Sequence, residues 1–272
     1  MSPRVIALLT DFGTRDHYVA AMKGVILGIE PEVTLVDITH EIPAQDVLSA
    51  ALELHACWRD FPRGSIFLVV VDPGVGTSRR TLAVQAGDRF FVAPDNGVLG
   101  MVFDGQAPAA VVEITEPDYL RPTISRTFEG RDRFAPAAAW LARGTDIHAL
   151  GPPVAGWIRL DVPRPRATEG TIEGEILKAD RFGNLISNIG TRMLDQLAGA
   201  RALRVHVADR EALPLVETYG DVRSGALCAL VGSSGFLEIA ANGGSAARLL
   251  DLGRGARVIV AADREPPNAA GP

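Results

Sequence analysis

Six consecutive apolar residues, Ile66 to Val71, run without interruption and stop at Asp72. A run this short, rich in β-branched side chains, fits a strand buried on both faces. Asp72 then opens a turn, DPGVGTSRR, that brings Pro73, Gly74, Gly76, Thr77, Ser78, Arg79 and Arg80 to the strand's carboxyl end. Ligands of open α/β sheets bind just beyond such ends, and the glycines permit close backbone approach. No G-x-G-x-x-G and no Gly-Lys-Ser/Thr follows, so this is not a phosphate loop of the usual kind. A tight turn closed by a surface Asp–Arg pair fits the same residues.

The segments around this run alternate in period. Residues 5–9, 33–38, 66–71, 82–85 and 90–92 read as strands. Residues 15–28 carry helical spacing, with Tyr18, Met22 and Val25 on one face; 47–58 and the alanine-rich 132–142 read as further helices. Alternation of this kind predicts a largely parallel sheet covered on both faces. After Leu150 the pattern changes. Pro- and Gly-rich stretches interrupt it, and short strands follow at 172–177, 185–188, 203–207, 227–231, 236–240 and 256–261, with helical turns at 192–197 and 245–250. The expected fold class is therefore α/β: an N-terminal, mostly parallel sheet flanked by helices over 1–162, a linker over 163–170, a smaller C-terminal antiparallel β domain over 171–264, and a flexible tail from 265. At 272 residues each part is long enough to bury a core.

Charge and cysteine usage exclude several classes. A net charge of −6 without a Lys/Arg stripe gives a nucleic-acid polyanion nothing to bind. No apolar run approaches a membrane span. The N-terminus opens on a strand-like segment too short for a signal peptide, so a cytoplasmic protein is expected. Cys57 and Cys228 stand far apart in apolar surroundings and read as buried thiols. His17, His40, His55, His148 and His206 form no ligand cluster, so no metal is expected, and no G-x-S-x-G elbow supplies an acyl-transfer serine.

Other segments place polar side chains where a turn alone does not require them. Asp11 ends the first strand in LLTDFG; a carboxylate there suits two ribose hydroxyls, and equally a helix N-cap by Asp11 or Thr14. Asp95, Asn96 and Gly97 follow a strand in APDNG, as a binding turn or a cap. In TFEGRDRFAP, Asp132 reads as a helix cap, whereas Glu129 beside Phe128 has no such role. In DRFGNLISN, Asp180, Asn184 and Asn188 punctuate strands, a residue type sheets disfavour. SSGFLEIAANGG holds Glu238 inside an apolar strand and offers backbone groups to a flat heterocycle, or equally forms a turn between a strand and a helix.

Taken together, LLTDFG, DPGVGTxRR, APDNG, TFxGRDxFAPAAA, DRFGN and SGFLEIAxNGG resemble, in order and content, the SAM hydrolases (adenosine-forming), also called SAM hydroxide adenosyltransferases, relatives of fluorinase and chlorinase. The resemblance spans nearly the whole chain. It implies hydrolysis of S-adenosyl-L-methionine (SAM) to adenosine and L-methionine, with SAM as substrate and no cofactor. It implies a homotrimer whose pockets lie between the N-terminal domain of one subunit and the C-terminal domain of the next. Asp11 then holds the ribose hydroxyls. Asn96 belongs to the substrate-binding set. Asp180 and Asn184, with Ser233, hold the methionine amino-carboxylate end. The backbone around Ala241 and Gly243 and the ring of Tyr219 contact adenine. Asp72 and Arg79 match two members of the family's water-activating Asp–Arg–His triad, and Glu129 stands where the histidine would be. The halogenases lack the Asp72 carboxylate and carry a tyrosine at the Glu129 position. A non-catalytic SAM or adenosine binding module, and a SAM-dependent halogenase, are the competing readings.

Overall fold

The computed structural model describes residues 4–103, 107–199, 202–208 and 210–262. It divides into two units between Asp161 and Val162. The tail expected from residue 265 lies outside the described residues.

The first unit is built on β1 (Val5–Thr10), α1 (Tyr18–Ile29), β2 (Thr34–Thr39), α2 (Val47–Cys57), β3 (Ile66–Val70), β4 (Thr81–Ala86), β5 (Arg89–Pro94), β6 (Ala110–Glu113) and α3 (Ala135–Arg143). The strands form one sheet in the order β2-β1-β3-β5-β4-β6. β2, β1, β3 and β5 run parallel, and β4 is antiparallel to β5 and β6. Alternate residues of each central strand enter different cores. Ile6, Leu8, Leu68 and Val70 pack with Met22 and Ile26 of α1 and with the alanines of α3. Ala7, Leu9, Phe67 and Val69 pack on the other face with Ala50, Ala51 and Leu54 of α2. Burial of both faces is the reason the strands read as unbroken apolar runs. In α3 the small alanine side chains let the helix lie close to the sheet, and Gly144 closes it in the left-handed conformation.

Several elements depart from the sequence reading. Helix α1 starts at Tyr18, not at residue 15, and its buried residues are Val19, Met22 and Ile26. Tyr18 is exposed on one side and sets its ring edge-on against Phe128, 5.2 Å between centroids. Strand β6 is an addition: AVVE is too short to show a period. Helix α3 is preceded by a π-helical turn, Gly130–Phe134.

The second unit holds β7 (Arg166–Thr168), β8 (Thr171–Ala179), β9 (Leu185–Gly190), α4 (Thr191–Ala198), β10 (Leu203–Val207), β11 (Leu213–Pro214), β12 (Leu227–Val231), β13 (Phe236–Ala241), α5 (Ala246–Leu250) and β14 (Arg257–Ala262). The order is β11-β10-β14-β8-β9-β13-β12, with β7 on β8, and the ladders are antiparallel. Beyond β11, Leu215 bridges Ala229 of β12, and the Val216 N–H donates to the Ala229 carbonyl at 2.9 Å. The two ends of the sheet thus meet, and it curls into a barrel around Ile176, Leu185, Val205, Leu237, Ile239 and Val258. Strand β7 falls inside the stretch read as a linker; its three residues pair with β8. No helix among the described residues is long and apolar enough to cross a membrane.

Candidate functional site

Asp72 stands two residues beyond the end of β3, and its side chain is almost fully buried. Arg79 reaches it from the entry to β4. Its Nε donates to both Asp72 oxygens at 2.8 Å, and its Nη2 donates to Asp72 Oδ2 and, at 2.6 Å, to Glu129 Oε2. Its Nη1 donates to Thr81 Oγ1 at 2.9 Å. These bonds use four of the five N–H groups of a guanidinium. The Phe134 ring lies beneath it, 5.1 Å from the guanidinium carbon. The three side chains are 5% (Asp72), 9% (Arg79) and 11% (Glu129) exposed, so little water screens them. Burial opposes the Arg79 charge, but the bonds and charges of Asp72 and Glu129 outweigh it and raise the pKa.

Glycines make this loop possible. Gly76 has φ 76°, and a Cβ there would stand 2.6 Å from the Arg126 carbonyl oxygen. Gly130, at the start of the π turn, is pressed against Met22 and Val70, and a Cβ would meet each at 3.3 Å. Glu129 immediately precedes it. Glu129 Oε1 faces Arg133 Nε at 3.8 Å, one turn further on.

Asp132 does not cap α3. It sits within the π turn, fully buried, and accepts from the Ser125 N–H at 2.8 Å and from Arg131 Nε and Nη2 at 2.7 and 2.9 Å. Burial would raise its pKa, but Arg131, the Ser125 N–H and Arg121 lower it. It cross-links the 121–131 segment.

Asp11 does not cap α1 either. The N-cap position of that helix is His17, without a side-chain bond, and Thr14 donates to Glu41 at 3.3 Å. Instead Asp11 Oδ2 accepts the Gln45 N–H at 2.8 Å, and Gln45 adopts a left-handed φ of 66°. A non-glycine residue held there carries strain that the surroundings must offset. The rest of the β1 corner is equally fixed. Thr10 Oγ1 lies 2.9 Å from His40 Nδ1, and the Gly13 N–H donates to the His40 carbonyl at 2.7 Å. Burial, with the nearby Asp72 charge, raises the Asp11 pKa against the lowering effect of the Gln45 N–H. Asp11 and Asp72 therefore feel one field.

Asn96 sits in the turn after β5. Its Nδ2 donates to the Val71 carbonyl at 2.8 Å and its Oδ1 accepts from the Val98 N–H at 3.2 Å. It ties this turn to the backbone next to Asp72. Asp95 is buried against Arg80 and accepts the Ile158 N–H at 2.7 Å.

In the second unit, Asp180 Oδ1 accepts the Phe182 and Asn184 N–H groups at 2.9 and 2.8 Å, and its Oδ2 accepts Asn184 Nδ2 at 2.9 Å. Asn184 is buried and Phe182 largely exposed. Asn188 belongs to the fold instead: it accepts the Glu175 N–H and donates to the Pro163 carbonyl, both at 2.9 Å. Tyr219 is part of a short 3-10 turn, and its hydroxyl donates to Glu238 at 3.3 Å. Burial, first, and the Asp180 charge raise the Glu238 pKa. Ser233 is exposed in the turn between β12 and β13; Ala241 ends β13, and Gly243 follows with φ 71°.

Sequence reasoning missed two side chains of these clusters, Thr81 and Arg133. Thr81 lies two residues after Arg79, the spacing that puts both on one side of an extended chain. Arg133 lies four after Glu129, the spacing of neighbours on a helix. Glu238 stood out as an acid in an apolar strand, but its partner Tyr219 is distant in sequence.

The SAM hydroxide adenosyltransferase N-terminal domain model matches residues 6–151, and the corresponding C-terminal domain model matches 174–259. The chain belongs to the SAM hydroxide adenosyltransferase family. A protein of Salinispora tropica named (R)-S-adenosyl-L-methionine hydrolase is 40% identical, over 94% of this chain and 97% of its own. A protein of the same name from Thermus thermophilus is also 40% identical, covering 93% and 97%. The crystal structure of an uncharacterized conserved protein from Thermotoga maritima superposes with a TM-score of 0.89 at 36% identity, covering 94% of this chain and 99% of that one. The fold of this family member is the α/β architecture with a smaller antiparallel barrel described above.

Proposed function

We propose that this chain hydrolyses SAM to adenosine and L-methionine by attack of an activated water on C5′. The observation that carries this reading is the Asp72–Arg79–Glu129 group, two carboxylates gripping one guanidinium beyond the carboxyl end of a parallel strand. The relatives' name specifies the (R) epimer at sulfur, and we take the same epimer as substrate.

The chemistry asks little of an acid. The C5′–S bond breaks, its electron pair goes to the sulfonium sulfur, and methionine leaves as a neutral thioether. What must be supplied is a hydroxide-like nucleophile in line with that bond, away from bulk water. Arg79 stabilises the developing hydroxide, Asp72 and Thr81 fix the guanidinium, and Glu129 accepts the water proton. Asp11 holds the ribose hydroxyls as an ionic acceptor. Asn96 shapes the wall beside Asp72. Asp180, Asn184 and Ser233 take the amino-carboxylate end; Tyr219, Ala241 and Gly243 take adenine. No metal or dissociable cofactor is needed, because the leaving group is activated already. We further infer a cytoplasmic homotrimer in which each pocket is completed by a neighbouring subunit.

Incubation with (R)-SAM, followed by chromatography, tests the reaction. Adenosine and methionine in equal amounts, unaffected by added fluoride or chloride, are expected. Binding without adenosine would leave a non-catalytic SAM module, and halide-dependent product would make it a halogenase. Light scattering tests the trimer, which a monomer that binds SAM tightly would overturn.

A further inference from the structure

Asp72, Glu129 and Arg79 together carry one net negative charge. Arg133 changes that sum. It approaches the other oxygen of Glu129: Arg79 Nη2 takes Oε2 at 2.6 Å, while Arg133 Nε faces Oε1 at 3.8 Å. That Nε is buried and makes no hydrogen bond. What Arg133 gives Glu129 is therefore charge at short range rather than a directed bond. The Arg133 side chain is 30% exposed, and Glu129 is largely enclosed, so the attraction is only partly screened.

We propose that Arg133 is a positioning residue of this site, one that cancels the charge of the second carboxylate and so lowers by one the negative charge of a site to which the Asp11 carboxylate also contributes. The proposal rests on the SAM reading above. Its chemical reason is the loss of positive charge during the reaction. The sulfonium is cationic in the ground state and becomes a neutral thioether. A site with an uncancelled negative charge would hold the cation more tightly than the transition state, and that lowers KM without speeding the reaction. It would also repel the incoming hydroxide. Cancelling one charge reduces both penalties while leaving Glu129 in place as an acceptor.

The test compares two non-reacting ligands by calorimetry: S-adenosylhomocysteine, neutral at sulfur, and sinefungin, which carries a protonated amine at that point. Arg133→Gln should shift the affinity ratio toward sinefungin by roughly tenfold, and should lower kcat and KM for SAM together. Arg133→Met, of similar length and no charge, should give the same shift. Arg133→Lys should keep the wild-type ratio. Glu129→Gln should shift it the other way, and the double variant Glu129→Gln/Arg133→Gln should return it to the wild-type value. A structural role alone would weaken both ligands equally or lower Tm, leaving the ratio fixed, and that result overturns the proposal. A wild-type protein that binds neither ligand and makes no adenosine overturns the functional reading, and this proposal with it.

Discussion

Glu129 and Asp132 stand three residues apart in one motif, one just before the π turn and one within it, yet they do opposite work. Asp132 is completely enclosed, and its two oxygens accept from the Ser125 N–H and from Arg131, with Arg121 beside them. The partners close within residues 121–132 of the chain. Glu129 instead reaches across the unit to Arg79, fifty positions away, and shares that guanidinium with Asp72. A carboxylate whose bonds all close locally, one of them to backbone, stabilises a fold. A carboxylate that shares its cation with a second acid at a strand end is poised for chemistry. Both are carboxylates of one motif; the difference lies in where the partner comes from.

That contrast can be broken most sharply at Arg79. Arg79→Lys keeps a charge but loses the fork that spans Asp72, Thr81 and Glu129. Adenosine formation should fall about a thousandfold. Wild-type turnover would mean that the cluster is structural, like that of Asp132. Glu129→Gln comes next: a loss of roughly a hundredfold in kcat is expected from removal of a proton acceptor, with KM for the cationic substrate rising as a negative charge is lost. An undiminished rate from pH 6 to 9 would make Glu129 a bystander. Asp11→Asn sharpens the comparison through its sign. The Asp11 pKa is raised, so ionisation costs the fold stability as pH rises through that value. The variant should therefore melt higher than wild type at neutral pH while binding SAM about tenfold more weakly. A lower Tm would identify Asp11 as a structural acid. Asp132→Asn should affect activity least. Its pKa is lowered, so its contribution of about 2 kcal/mol is present above the unfolded Asp value near ~3.9 and fades as pH falls through the folded value. Denaturation at pH 7 and pH 3 should show the gap between wild type and variant narrowing, with kcat per folded molecule nearly unchanged.

Much of this was legible in the sequence. The runs at β1 and β3 showed a doubly covered sheet because both faces are apolar, and the same property marked Asp72 as the point where burial ends. What stayed hidden depends on tertiary partners. Both cap readings failed, for Asp11 and Asp132, because a cap and a long-range acceptor look alike until the recipient N–H, Gln45 or Ser125, is known. In α1 Met22 lies in the core as expected, but the buried positions flanking it are Val19 and Ile26 rather than Tyr18 and Val25, because YVAAMKGVIL offers apolar side chains at adjacent positions. β7 and β11 are too short for any period to appear.

The π turn at Gly130–Phe134 adds one residue to the winding that leads into α3. Tightening that turn to ordinary helical winding without shortening it would rotate what precedes it by about 100° about the axis. Glu129 would swing away from Arg79 while α3, packed through its alanines, could stay where it is. The winding of this segment thus carries functional information that no residue identity records. Within such a family, a gap of one position between Thr127 and Ala135 would report the loss of the π turn rather than the loss of Glu129 from its place.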